Sequence, residues 1–155
     1  ATIIIADQIT KAIVQQKFAL GESIAIINGL FSFTYVRNPG AAWGMFGHSP
    51  DFIRVPLFFA LPVVACFWLI YLVWTTKNER LLPCLAYSLI FAGAVGNLID
   101  RFSMNYVVDF LDFYWGTNHF PAFNVADSSI TIGAILLGIE FLFFEKKNTS
   151  VANTI

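Results

Sequence analysis

Two stretches of this chain, residues 55–74 and residues 81–99, contain no charged side chain. Each matches the roughly 20 apolar residues an α-helix needs to cross about 30 Å of hydrocarbon, so each predicts a membrane-spanning helix. A third span is predicted at residues 125–144, apolar except for Asp127 near its start and Glu140 near its end. Residues 1–16 have helical periodicity but carry Asp7, Gln8 and Lys11. They read as the remainder of a first spanning helix whose beginning is absent, because a cleaved signal peptide would place its apolar stretch where the carboxylate and lysine stand. Pro56 suits a helix start, whereas Pro62 implies a kink or a locally repaired backbone. Between the first two helices the period changes. Asn28-Gly29 is a turn signal, and Phe31, Phe33 and Tyr35 then alternate with Ser32, Thr34 and Val36, which predicts a β-ribbon over residues 23–36. The expected fold class is an all-α integral membrane protein: four transmembrane helices in a single membrane domain, outer loops at about 17–54 and 101–124, and a small extracytoplasmic β-ribbon.

Composition agrees with this pattern. The 155 residues are 57% apolar and 12% charged, against roughly 25% charged in soluble domains. A formal net charge of −1, with nine scattered Lys and Arg, offers no basic face for nucleic acid. Cys66 and Cys84 each lie in an apolar run and suggest neither a disulfide framework nor a metal cluster. The short loop with Lys77 and Arg80, and the chain end with Lys146 and Lys147, should face the cytoplasm. Both termini are then cytoplasmic and the long loops, including Arg37, Arg54 and Arg101, lie outside.

In so apolar a chain, ionisable residues at membrane depth are the informative ones, because each costs about 2.5–3.5 kcal/mol to insert. Asp7 and Lys11, one helical turn apart, can neutralise each other. After the small-residue stretch Gly93-Ala94-Val95-Gly96, which permits close helix approach, come Asn97, Asp100 and Arg101. Asp100 is expected to pair with the adjacent guanidinium and serve as scaffold. Asp109, among Val107, Val108, Phe110 and Leu111 with no neighbouring base, should have its pKa raised by burial. Asp112, three residues on, is its rival, with exposure in the loop expected. Asp127 reads either as a carboxylate satisfied by free N–H groups in the first turn of the last helix, one turn after Asn124, or as a reactive group. Two such carboxylates brought together can share one proton, one acting on a water and the other polarising a carbonyl, which is peptide hydrolysis without metal, serine or cysteine. No H-E-x-x-H or G-x-S-x-G occurs, and His48 and His119 are expected to be isolated surface residues. A different function, a proton- or ion-coupled transport subunit, would use Asp7, Lys11, Asp100, Arg101 and Asp127 as a charge relay.

Five motifs run in order through most of the chain. They are Asp7-Gln8-Ile9-Thr10-Lys11, Asn38-Pro39-Gly40-Ala41-Ala42-Trp43-Gly44, Gly96-Asn97-Leu98-Ile99-Asp100-Arg101, Val107-Val108-Asp109-Phe110, and Phe123-Asn124-Val125-Ala126-Asp127-Ser128. In these the chain resembles bacterial lipoprotein signal peptidase (signal peptidase II), the membrane aspartyl protease that removes signal peptides from lipid-modified prolipoproteins. The resemblance implies Asp109 and Asp127 as a catalytic dyad. It also implies that Asn38, Asn97, Asp100, Arg101 and Asn124 line or brace the site, with support from Asp7 and Lys11. It implies no metal or other cofactor, a prolipoprotein substrate and membrane lipid as partners, a monomer, and the bacterial inner membrane with the site on the extracytoplasmic side. The segment 38–44 is expected to close over the cleft.

Overall fold

The computed structural model describes residues 1–77 and 80–145; Lys146 and Lys147, used above for orientation, lie outside the described residues. Among the described residues, three helices are long and apolar enough to cross a membrane: Asp51–Thr75, Leu81–Met104 and Val125–Phe143. The first is built of α2 (Asp51–Val55), a π-helical turn (Pro56–Ala60) and α3 (Leu61–Thr75). Proline lacks the N–H of the helical ladder, and the wider turn set just before Pro62 is the local repair that lets the helix continue. α4 (Leu81–Met104) runs past the expected end at residue 99, through Asp100 and Arg101, and stops at Asn105 in the left-handed conformation (φ 64°).

α1 (Thr2–Lys17) is shorter, and its faces are inverted relative to a soluble helix. Asp7 and Lys11 are buried against the other helices while Ile5, Ile9 and Ile13 are exposed. Phe67, Trp68 and Trp74 of α3 are likewise exposed. Polar groups inside and bulky apolar groups outside suit a hydrocarbon solvent, where polar groups must find partners within the protein. The small-residue stretch works as expected. A Cβ on Gly93 would fall 2.3 Å from the Ala126 carbonyl oxygen, so only glycine lets α4 approach α5 (Val125–Glu140) this closely.

The expected ribbon is present as β1 (Ser23–Ile27) and β2 (Phe31–Asn38), joined by a turn in which Leu30 N–H donates to Ile27 C=O and Gly29 takes φ 80°. It is half of a larger element. Residues expected in an outer loop form β3 (Val107–Trp115) and β4 (Asn118–His119), giving one antiparallel sheet ordered β1-β2-β3-β4. The β2–β3 pairing joins segments separated by two spanning helices, so no local turn signal announces it. The core of the sheet packs Tyr35, Val108 and Phe110 against Val14 of α1.

β3 is bulged. The N–H groups of Phe110 and Leu111, successive residues, both donate to Phe123 C=O, at 3.0 and 2.8 Å. Val108, Phe110 and Leu111 therefore all pack on the core side. Val107 and Asp109 lie on the opposite face, and the extra residue returns Asp112 to that same face, where it lines a cavity with Asp109.

Candidate active site

α1 places an ammonium group at the centre of the site's foundation. Lys11 Nζ lies 2.8 Å from Asp7 Oδ2 and 2.9 Å from Asp100 Oδ2, and donates to Asn97 Oδ1 at 3.0 Å. Three acceptors satisfy its three N–H bonds. The remaining carboxylate oxygens are also engaged: Asp7 Oδ1 accepts from Ala126 N–H at 2.9 Å and Asp100 Oδ1 from the Gln8 amide at 3.0 Å, while Asp100 Oδ2 accepts from Val108 N–H at 3.1 Å as well as from Lys11. All three charged groups are almost fully buried. The Asp7–Lys11 pair is thus more than a local neutralisation, since it ties α1 to α4 and to the starts of β3 and α5. Asp100 pairs with Lys11, correcting the expected pairing with its chain neighbour Arg101. Successive helical residues point about 100° apart, so Arg101 faces elsewhere: it donates to Gly40 C=O at 3.3 Å and its guanidinium sits 5.4 Å from the Phe58 ring centroid. Gln8, present in the motif but given no role from sequence, bridges Gly96 C=O and Asp100.

This foundation orients Asn97. With its oxygen held by Lys11 and by the Asn124 amide (3.3 Å), its Nδ2 donates to Asp127 Oδ1 at 2.7 Å. Asn124 caps α5. Its Oδ1 accepts from Asp127 N–H at 2.9 Å while Asp127 Oδ2 accepts from Asn124 N–H at 3.3 Å, a reciprocal capping box. The same Asn124 donates from Nδ2 to Asp109 Oδ1 at 2.8 Å, and Asn38 Nδ2 donates to Asp109 Oδ2 at 3.0 Å. Asn38 lies opposite Val107 in the β2–β3 register, so Asp109 is its diagonal neighbour. Asn124 therefore bridges the two aspartates, one on the sheet and one on the first turn of α5.

Asp109 and Asp127 both line a cavity of about 500 Å³, with Asn38, Asn97, Arg101 and Thr131 among its walls. Burial, and then the negative charge of Asp127, push the Asp109 carboxyl up to about 7, against the opposing hydrogen bonds from Asn38 and Asn124. The expected rise is present, and its second cause is the other aspartate. Gly40, Ala41 and Ala42 form part of the rim, and Trp43 is highly exposed with its ring 6.5 Å from Phe120. Two expectations are overturned. Asp112 is buried rather than exposed, and His119 is not isolated: its Nδ1 lies 3.0 Å from both Asp112 oxygens and its ring stacks on Tyr114. Among the described residues no group of three or more His, Cys, Asp or Glu side chains is placed to hold a metal ion.

Comparisons with known proteins agree along nearly the whole chain. The family model described as signal peptidase (SPase) II matches residues 1–143. A lipoprotein signal peptidase of Desulforapulum autotrophicum is 50% identical over 145 residues, covering 92% of this chain and 89% of that protein. One from Geobacter metallireducens is 42% identical over 149 residues, covering 96% and 91%. A solved structure described as a bacterial membrane enzyme superposes with a TM-score of 0.82 at 38% identity, over 95% of this chain and 86% of that one. The protein is a membrane enzyme that belongs to the signal peptidase II family of aspartic-type peptidases.

Proposed function

We propose that this enzyme removes the signal peptide from diacylglyceryl-modified prolipoproteins, with Asp109 and Asp127 activating one water between them. The observation that carries the reading is the bridging of two aspartates by Asn124 at the wall of one cavity. Near pH 7 the pair holds one proton, on Asp109, whose buried carboxyl is raised to about 7. As water attacks the scissile carbonyl carbon, Asp127 takes its proton and Asp109 gives its own to the carbonyl oxygen. Collapse of the tetrahedral intermediate breaks the C–N bond: the proton on Asp127 passes to the leaving nitrogen and the hydroxyl proton returns to Asp109. Asn38 is engaged at both ends, by Asp109 and by Gly40 N–H. Arg101 uses a single N–H on Gly40 and is the donor best able to hold the substrate carbonyl or the developing oxyanion. Asn97 and Asn124 orient the aspartates, and Asp7, Lys11 and Asp100 hold Asn97.

The cavity continues along Ser128, Thr131 and Ile132 on α5, which suits entry of an apolar signal helix from the lipid with its acyl chains left in hydrocarbon. In this reading α1 is a fourth spanning helix of a single membrane domain, the chain acts as a monomer in the bacterial inner membrane, its site and sheet are extracytoplasmic, and both termini are cytoplasmic. The charge-relay alternative has little support: between the site cluster and the Arg80–Glu140 ion pair, residues 81–99 and 128–139 supply no charged step. Cleavage of a diacylglyceryl-modified precursor in detergent is the test. Asp109→Asn and Asp127→Asn should each lower turnover by orders of magnitude while the protein still melts cooperatively. Near-normal turnover in either would sink the two-aspartate mechanism.

A further inference from the structure

Asp112, Thr34 and His119 form a polar group that the chemistry above does not use. Thr34 Oγ1 donates to Asp112 at 3.4 Å and His119 Nδ1 contacts both Asp112 oxygens. These residues line a second cavity, of about 430 Å³, that shares Asn38, Asp109 and residues 120–122 with the first. The two cavities therefore meet at Asp109, with unlike walls beyond it. The first continues along the spanning helix α5, and the second along the sheet and its β3–β4 hairpin. The bulge in β3 creates this arrangement, because regular alternation would place Asp109 and Asp112 on opposite faces.

A peptide cut at Asp109 must pass through both spaces. The part inside the lipid-facing cavity is apolar, whereas the part leaving for water carries main-chain N–H and C=O groups that need partners as soon as they quit solvent. The second cavity supplies them. The contact of His119 Nδ1 with both Asp112 oxygens orients the ring and leaves Nε2 as its second polar atom. Arg37, paired with Val108, turns to the core face, where its Nε donates to Tyr35 Oη at 2.9 Å and its guanidinium lies over the Tyr106 ring, so the polar side chains of this cavity beyond Asn38 and Asp109 are those of Thr34, Asp112 and His119.

We propose that the second cavity binds the residues immediately following the lipid-modified cysteine, with His119, oriented by Asp112, as a specificity-determining contact to their main chain. This assignment rests on the peptidase reading above. The test uses synthetic diacylglyceryl lipopeptides that share one signal sequence and either end at the modified cysteine as an amide or continue for several residues. In the wild-type enzyme kcat/KM should rise by about tenfold or more with the extension, chiefly through KM, which corresponds to the gain of one or two good polar contacts. In His119→Ala and Asp112→Asn the ratio of extended to truncated kcat/KM should fall towards one. Thermal melting of each variant identifies any loss of folded enzyme. An unchanged ratio in both variants, or truncated and extended peptides cut equally well by the wild type, overturns the subsite and leaves the peptidase reading standing. Failure of the wild type to cut any lipopeptide overturns both.

Discussion

Replacing Asp109 with asparagine removes a titratable group that the fold holds in its protonated form. The free carboxyl titrates near 4, and burial together with the charge of Asp127 moves it to about 7. An acid raised in this way keeps its proton in the folded protein at pH values where the unfolded chain has released it. Its ionisation therefore opposes folding: stability falls as pH rises from near 4 to about 7 and levels off above that. Between pH 5 and pH 8 the two values give a loss of about 2–3 kcal/mol, from about two pKa units at 1.36 kcal/mol each. The Asp109→Asn carboxamide does not titrate, so this part of the slope vanishes. The variant bears a separate penalty, since a carboxamide cannot accept from both Asn38 and Asn124, and an unmatched donor costs about 1–3 kcal/mol. That penalty is the same at every pH, so the slope is the readout. Melting followed by the fluorescence of the four tryptophans in detergent, at pH 5 and pH 8, should show the wild type losing roughly 5–10 °C more than the variant across that interval. Parallel wild-type and variant curves would refute the claim that Asp109 is held protonated.

Three further perturbations test the framework. Lys11→Met should destabilise by about 3–5 kcal/mol, because Asp7 and Asp100 then keep two buried carboxylates without the cation between them; chemical denaturation in detergent measures it, and a shift under 1 kcal/mol would contradict the network. Arg101→Ala should cut kcat about 10²–10³-fold, as loss of an oxyanion donor does, with little change in melting temperature; a large melting shift with intact kcat would make Arg101 structural. Gly93→Ala should cost about 1–3 kcal/mol by forcing α4 away from the Ala126 carbonyl, whereas Gly138→Ala, with open space around it, should be neutral or slightly stabilising in the same melting assay.

The spanning helices and the first hairpin were legible from residue order alone because they follow from local rules. An uncharged run of sufficient length has one low-energy state in lipid, and alternation after a turn signal favours a strand. Asp109 stood out for the same reason, as a carboxylate among bulky apolar neighbours with no adjacent base, whereas Asp127 read equally well as a carboxylate satisfied by free N–H groups at the start of its helix. Asparagine positions such as 38, 97 and 124 were marked by motif, but which amide faces which oxygen depends on Lys11, whose three acceptors come from α1 and α4. The pairing of Asp100 with Lys11 rather than Arg101 has the same origin: chain adjacency says little about contact once helical rotation and the close approach permitted by Gly93 and Gly96 are in place. Least visible was the face on which Asp112 emerges. Counting by twos from Asp109 puts it on the wrong side, and only the donation of two consecutive N–H groups to Phe123, a residue beyond the β3–β4 hairpin, shifts the register and joins Asp112 and His119 to the wall beside Asp109. Short-range polarity chose the elements; long-range hydrogen bonding chose which charges meet, because a buried polar group takes whatever partner the assembled helices and strands bring within reach.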